Sequence, residues 1–127
     1  MKASIVFLIF VSLSAFGAKA RTVYLSETDM ASVRMVPGRS TILSFPIKPN
    51  KVILGNQGMF AVEYVENDLA IAALRGEARG NLFVYMEGRR FAFDLSTVSA
   101  GGDEIILVRD VVEKPVRGTH GKGSIKR

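Results

Sequence analysis

The sequence predicts an all-β domain, an antiparallel β-sandwich of eight or nine short strands that follows a cleaved signal peptide. Apolar runs of about four to eight residues recur at a spacing of about ten, which is typical of strands in a sandwich or barrel. Turn signals containing Gly, Pro, Asn or Asp separate these runs, and side chains within several of them alternate between apolar and polar. The length of 127 residues favours one domain.

The clearest local signal lies in residues 81–95. Two apolar, aromatic-rich runs, residues 82–86 and 91–95, flank Glu87-Gly88, and this arrangement indicates a β-hairpin. An isolated hairpin is only marginally stable, so further strands must cover its apolar side. Alternation along the strands assigns the following side chains to the core: Phe60, Val62, Val84, Phe91 and Phe93.

The remaining strands are predicted on both sides of this hairpin, at residues 22–25, 32–36, 41–45, 51–54, 59–65, 69–74 and 105–112. Glu66-Asn67-Asp68 separates two of them and predicts a second hairpin. Residues 70–78 are rich enough in helix formers to compete with a strand, but Gly76 and the alternation of Leu69 and Ile71 favour the strand.

The two ends of the chain differ from this domain, which is predicted to span residues 21–112. Lys2, the apolar run 5–16 and Ala18-Lys19-Ala20 have the pattern of a secretory signal peptide over residues 1–20. That run is too short to cross a membrane, which takes about 20 residues, and no later run is longer. Residues 113–127 are poor in apolar side chains and are predicted to form a flexible basic tail. We therefore expect a protein exported to the periplasm.

The formal charge of +5 is not spread over the domain. Residues 113–127 carry five bases and one acid, whereas residues 21–112 carry ten bases and eleven acids. The domain thus lacks the electrostatic signature of a nucleic-acid-binding protein. The tail suits an anionic lipid, a nucleic acid or an acidic partner, and nucleic acid is the weakest of these because no aromatic residues are interleaved.

No pattern in the sequence indicates catalysis, a cofactor or a metal. The chain has no cysteine, and its single histidine, His120, lies in the predicted tail without rigid neighbours. Most carboxylates fall in turns, where acids are commonly solvated, and Asp103-Glu104 lacks the spacing of a calcium loop. Residues 76–80 lack the lysine of a phosphate-binding loop. We therefore expect no catalytic, cofactor-binding or metal residues, and a protein that is not an enzyme.

A series of motifs along the predicted strands resembles a known family. These are Thr41-Ile42-Leu43-Ser44-Phe45-Pro46, Lys51-Val52-Ile53-Leu54-Gly55, Phe60-Ala61-Val62-Glu63-Tyr64, Asn67-Asp68-Leu69, Gly80-Asn81-Leu82-Phe83-Val84-Tyr85 and Arg90-Phe91-Ala92-Phe93-Asp94-Leu95. In this order they resemble the amino-terminal β-domain of TrbG/CagX-type conjugal transfer proteins, periplasmic components of type IV secretion channels. The likeness covers residues 22–112. The sequence is also similar, more weakly, to the amino-terminal domain of pilus-assembly secretins.

This resemblance implies a non-enzymatic periplasmic subunit of a type IV secretion or pilus apparatus. Its partners would be other envelope secretion or pilus proteins, or further copies of the chain. The second β-domain usual in the family has no counterpart in the sequence, so a direct role in an outer-membrane pore is not implied. Arg89 and Arg90 are the residues expected to contact partners, with Phe83 and Tyr85 if one sheet face is uncovered. Two alternatives remain open: a carbohydrate- or peptidoglycan-binding module, and a small hydrolase or its inhibitor.

Overall fold

The computed structural model describes residues 20–115 of the chain. Alternating apolar and polar side chains form strands over most of this part. The nine strands in this part are β1 Ala20–Leu25, β2 Met30–Met35, β3 Ser40–Ser44, β4 Lys51–Leu54, β5 Phe60–Val65, β6 Asp68–Ala73, β7 Arg79–Met86, β8 Arg89–Thr97 and β9 Ile105–Asp110. Short 3-10 turns occupy Gln57–Met59 and Val111–Glu113. No helix in this part is long and apolar enough to span a membrane. The predicted signal peptide, apart from Ala20, lies outside the described residues, as do His120 and the tail beyond Pro115.

The strands form two packed sheets, which confirms the predicted all-β sandwich. Sheet A has the order β1-β9-β3-β6-β5 and sheet B the order β2-β8-β7-β4. Within the described residues, four pairings are antiparallel and three are parallel, so the sandwich is mixed rather than uniformly antiparallel. The parallel pairs are β1–β9, β3–β9 and β2–β8, whose members are far apart in the chain. Parallel neighbours need such long connections, which a local turn signal does not reveal.

Both predicted hairpins are confirmed. Strands β7 and β8 meet at Glu87-Gly88, where Gly88 has a φ of 61° that suits a residue without a side chain. Strands β5 and β6 meet at Glu66-Asn67, where Glu66 takes the left-handed conformation with a φ of 54°. The strand prediction for residues 69–74 also holds, because β6 covers most of this segment and no helix forms there.

The core lies between the inward faces of the two sheets. Four of the five predicted core residues are buried, and Val62 is half-buried against the core because β5 is the last strand of sheet A. Phe45, which follows β3, places its ring 5.8 Å from that of Phe91 and 6.1 Å from that of Phe93. Since Phe91 and Phe93 belong to β8, these three rings pack sheet A onto sheet B.

Candidate protein-interaction face

The outward side of sheet B carries a row of apolar side chains that crosses all four strands. Strand register places Met30 of β2 beside Ala92 of β8, Ala92 beside Phe83 of β7, and Phe83 beside Ile53 of β4. Met30 and Ile53 are 50% and 47% exposed, Phe83 is half-buried, and Ala92 is shielded by its neighbours. We call these four residues the apolar row. No part of the described chain covers it.

Polar and basic side chains flank the apolar row. On one side of the apolar row lies a row formed by Arg90, Tyr85 and Lys51. On its other side lie two further rows. The nearer row is Ser32, Asp94 and Asn81, and the farther row is Arg34, Ser96 and Arg79. We call these rows and the apolar row together the outer B face. It carries four bases and one acid, although residues 21–112 as a whole have one more acid than base. The fold therefore concentrates positive charge on this face.

On the outward side of sheet A, acidic side chains outnumber basic ones. Its charged residues within the strands are Glu63, Asp68 and Arg109, two acids and one base. Because side chains alternate across each strand, the two outward faces sort charges that are mixed along the sequence. The outer B face is thus complementary to a surface with an apolar centre and an acidic surround.

Phe83 and Tyr85, two of the residues expected to contact partners, both point outward on the outer B face. Tyr85 is 36% exposed and lies between Arg90 and Lys51. The expectation for these two residues depended on one sheet face being uncovered, and the described chain leaves this face open. Met30 and Ile53 complete the apolar row but carry no sequence signal, because neither belongs to an aromatic motif and their partner strands are distant in sequence.

The two arginines of the β7–β8 hairpin point in opposite directions. Arg90 is exposed and donates a hydrogen bond of 3.0 Å from Nη2 to the carbonyl of Glu27. Arg89 lies between the sheets, with a side chain only 14% exposed, and its guanidinium donates to the Asp110 carboxylate and to the carbonyl of Leu25. The guanidinium carbon also lies 4.1 Å from the centre of the Phe91 ring. Arg89 therefore joins sheet B to sheet A instead of being a solvated hairpin tip, and an interface role for either arginine stays a prediction.

A second charged cluster surrounds Asp103, which precedes β9. Its carboxylate accepts hydrogen bonds from Nε and Nη2 of Arg21 at 2.9 and 3.2 Å and from the backbone N–H of Arg34 at 2.9 Å. The backbone N–H of Asp103 donates to the Arg34 carbonyl at 2.7 Å, and Arg21 Nη2 donates to the Ser32 carbonyl at 2.6 Å. Asp103 and Arg21 thus occupy backbone groups along the free edge of β2. The sequence does not signal this contact, since the two residues are 82 positions apart.

Hydrogen bonds lower the pKa of three carboxyl groups. Burial by itself would raise the pKa of Asp103, but the donors on Arg21 and the Arg34 N–H outweigh that effect and hold the pKa below its usual range. The backbone N–H of Val112, followed by Arg89, lowers the pKa of Asp110. The Ser26 N–H lowers the pKa of Asp29 in the β1–β2 turn. All three act within the fold, at strand ends and turns.

Within residues 20–115, no three His, Cys, Asp or Glu side chains lie close enough together to hold a metal ion. Asp103 and Glu104, the pair considered for calcium, form salt bridges with Arg21 and Arg39. An open groove of about 690 Å³ lies between β1 and β2 and includes Arg21 and Arg34 in its lining.

The chain matches none of the protein-family models, and none of the curated proteins, with which it was compared. The resemblance to the TrbG/CagX-type domain therefore rests on the strand and turn motifs of residues 41–95.

Proposed function

We propose that this chain is a non-enzymatic assembly subunit of an envelope-spanning apparatus, a type IV secretion or pilus system, and that it acts by binding other proteins in the periplasm. The outer B face is the observation that carries the binding role. The motifs of residues 41–95 and the signal-like residues 1–20 support the cellular setting.

The apolar row provides the adhesive part of the proposed interface. Met30 and Ile53 expose large apolar side chains at opposite ends of the row, and Phe83 lies between them. A contiguous apolar surface with polar surroundings is the usual anatomy of a protein-binding site. Burial of such a row by a partner removes this apolar surface from water, which is the main favourable term in association.

The charges around the apolar row select the partner. Arg90 and Lys51 lie on either side of Tyr85, and Arg34 and Arg79 lie near the far border of the face. An acidic surface with an apolar centre matches this distribution, whereas a basic surface is repelled. We therefore expect the binding partner to present carboxylates around an apolar patch.

Charge reversal with a matched control tests this assignment. Lys51→Glu introduces an acid on the outer B face, and Lys48→Glu makes the same change on the exposed β3–β4 connection outside the sheet. A photo-crosslinker at Ile53 should capture an envelope protein in cells, and Lys51→Glu should lower its yield several-fold while Lys48→Glu leaves it unchanged. The glutamate at position 51 would face the carboxylates of the acidic partner, and such contacts between like charges weaken binding. No adduct at Ile53, or equal yields in both variants, would contradict the proposed face.

A carbohydrate- or peptidoglycan-binding module is the alternative that one observation favours. Phe83 and Tyr85 are neighbours on the outward side of β7 and form a small aromatic surface. Under this alternative the protein sediments with purified cell-wall material, and Tyr85→Ala abolishes the sedimentation. An assembly subunit with a protein partner shows neither effect.

A further inference from the structure

Strand β5 ends sheet A and pairs only with β6. The Leu74 N–H donates to the Met59 carbonyl at 2.8 Å, so Met59 and Leu74 form a hydrogen-bonded pair. At the other end of the hairpin, the two-residue turn makes Val65 and Asp68 a second hydrogen-bonded pair. Backbone groups alternate in direction along a strand, so those of Ala61, Glu63 and Val65 point towards β6. The N–H and C=O groups of Phe60, Val62 and Tyr64 consequently point away from the sheet, along its free edge.

The other sheet edges in the described chain are obstructed or short. On the opposite side of the sandwich, β1 and β2 line a common groove that the Arg21 side chain bridges, and Arg21 and Asp103 occupy the carbonyls of Ser32 and Arg34 on β2. Strand β4 has only four residues and follows Pro49. Strand β5 has six residues and contains no proline or lysine, which are common means of blocking an edge. Its edge is therefore the one best suited to accept another strand.

We infer that the free edge of β5 pairs with the β5 strand of a second copy of this chain, antiparallel and centred on Val62. In this register Phe60 lies opposite Tyr64 of the second copy, and Val62 lies opposite Val62. Each hydrogen-bonded antiparallel pair exchanges two N–H···O bonds, so all the outward backbone groups of these three residues are satisfied. The two five-stranded sheets become one continuous sheet with a twofold axis.

The side chains of β5 are self-complementary in this register. Tyr64 is 45% exposed and lies beside Phe60 of the second copy, whose ring is already buried in its own core, so the apolar surface covered on pairing is that of Tyr64 and of the half-buried Val62. On the outward face, Glu63 lies opposite Ala61 of the second copy, so the two carboxylates are kept apart. A register centred on Glu63 instead brings the two carboxylates together, which is destabilising. Charge therefore selects the Val62-centred pairing.

The free edge of β5 is separate from the outer B face, because β5 belongs to sheet A. This edge gives the protein a second binding surface, with the chain itself as the partner. One copy can then hold a second copy through β5 and a different protein through sheet B. Failure of either interface leaves the other intact.

Sedimentation equilibrium of purified protein, expressed from the full-length chain, tests the pairing. The wild type should pass from monomer to dimer over roughly a hundredfold range of protein concentration, from about 1 μM to about 100 μM. Val62→Pro removes an outward N–H while every bond from β5 to β6 is kept, so the folded variant should remain monomeric. A wild type that stays monomeric throughout this range, or a folded Val62→Pro protein that dimerises as well as the wild type, overturns the inference.

Substitutions at Ala61 test the register and do not depend on proline being tolerated. Ala61 is exposed and lies opposite Glu63 of the second copy only when the pairing is centred on Val62. Ala61→Glu should weaken dimerisation and Ala61→Lys should strengthen it, each by about threefold to tenfold, because two such pairs form in one dimer. Equal effects of the two substitutions would overturn the proposed pairing. Circular dichroism of each variant establishes that the sandwich is folded.

Discussion

Arg89→Met is the substitution that most directly tests how the two sheets are held together. Methionine keeps most of the apolar stem but removes the guanidinium that donates to Leu25 and lies over Phe91. A hydrogen bond from a charged donor to a shielded carbonyl is worth about 1.5–3 kcal/mol, and the contact with the ring adds about 0.5–2 kcal/mol. The Asp110 carboxylate is reached by solvent, so the loss of its partner adds little. We expect a net destabilisation of about 2–5 kcal/mol, a large share of the ~5–15 kcal/mol typical of a domain.

Urea unfolding followed by far-ultraviolet circular dichroism measures this loss. With the slope unchanged at about 2 kcal/mol/M, Arg89→Met should lower the midpoint by roughly 1–2.5 M. Arg90→Met is the matched control, because the same change at an exposed side chain should alter stability by less than about 1 kcal/mol. Equal losses in the two variants, or a loss below about 1 kcal/mol for Arg89→Met, would refute the assignment of Arg89 as the connection between the sheets.

Three further predictions concern the core, an acid and a close backbone contact. Phe45→Ala empties a ring-sized space between the sheets and should cost about 3–5 kcal/mol in urea unfolding, whereas Phe45→Leu should cost less than about 1.5 kcal/mol. Because the folded pKa of Asp103 lies below the unfolded value near 3.8, the stability it contributes is full above about pH 5 and is lost progressively as the pH falls through the unfolded and then the folded value. Thermal melts of Asp103→Asn should therefore vary less with pH in this range than those of the wild type. Gly102→Ala puts a Cβ 2.9 Å from the Arg34 carbonyl oxygen and should lower the melting temperature, while Gly76→Ala, which meets no atom within 4 Å, should not.

The nine strands follow from local signals, but their arrangement does not. Residues 82–86 and 91–95 alternate in burial and meet at a glycine that suits the turn, so this hairpin is predictable from adjacent residues. The parallel pairing of β2 with β8 depends on contacts between residues more than fifty positions apart. No turn signal specifies such a pairing, and either edge of the hairpin could have accepted β2 on pattern alone.

The candidate site was predictable only where it lies on the hairpin. Alternation along β7 is enough to place Phe83 and Tyr85 on one side, away from the buried Val84. Met30 and Ile53 join them only through the pairing of β2 and β4 at the two edges of sheet B. The positive charge of the outer B face is equally hidden in the sequence, because the acids of residues 21–112, except Asp94, lie in turns and connections or on the other sheet.

The Arg89-Arg90 pair shows how one turn assigns two different roles to identical side chains. Successive residues on a strand point to opposite faces, so one arginine joins the sheets and the other reaches the outer B face. The Glu87-Gly88 turn sets this choice, because it fixes Met86 opposite Arg89. A one-residue slip would turn Arg89 outward and Arg90 inward, and would also bring the buried Phe91 and Phe93 to the surface. The burial of these two aromatic rings therefore fixes which arginine is available to a partner.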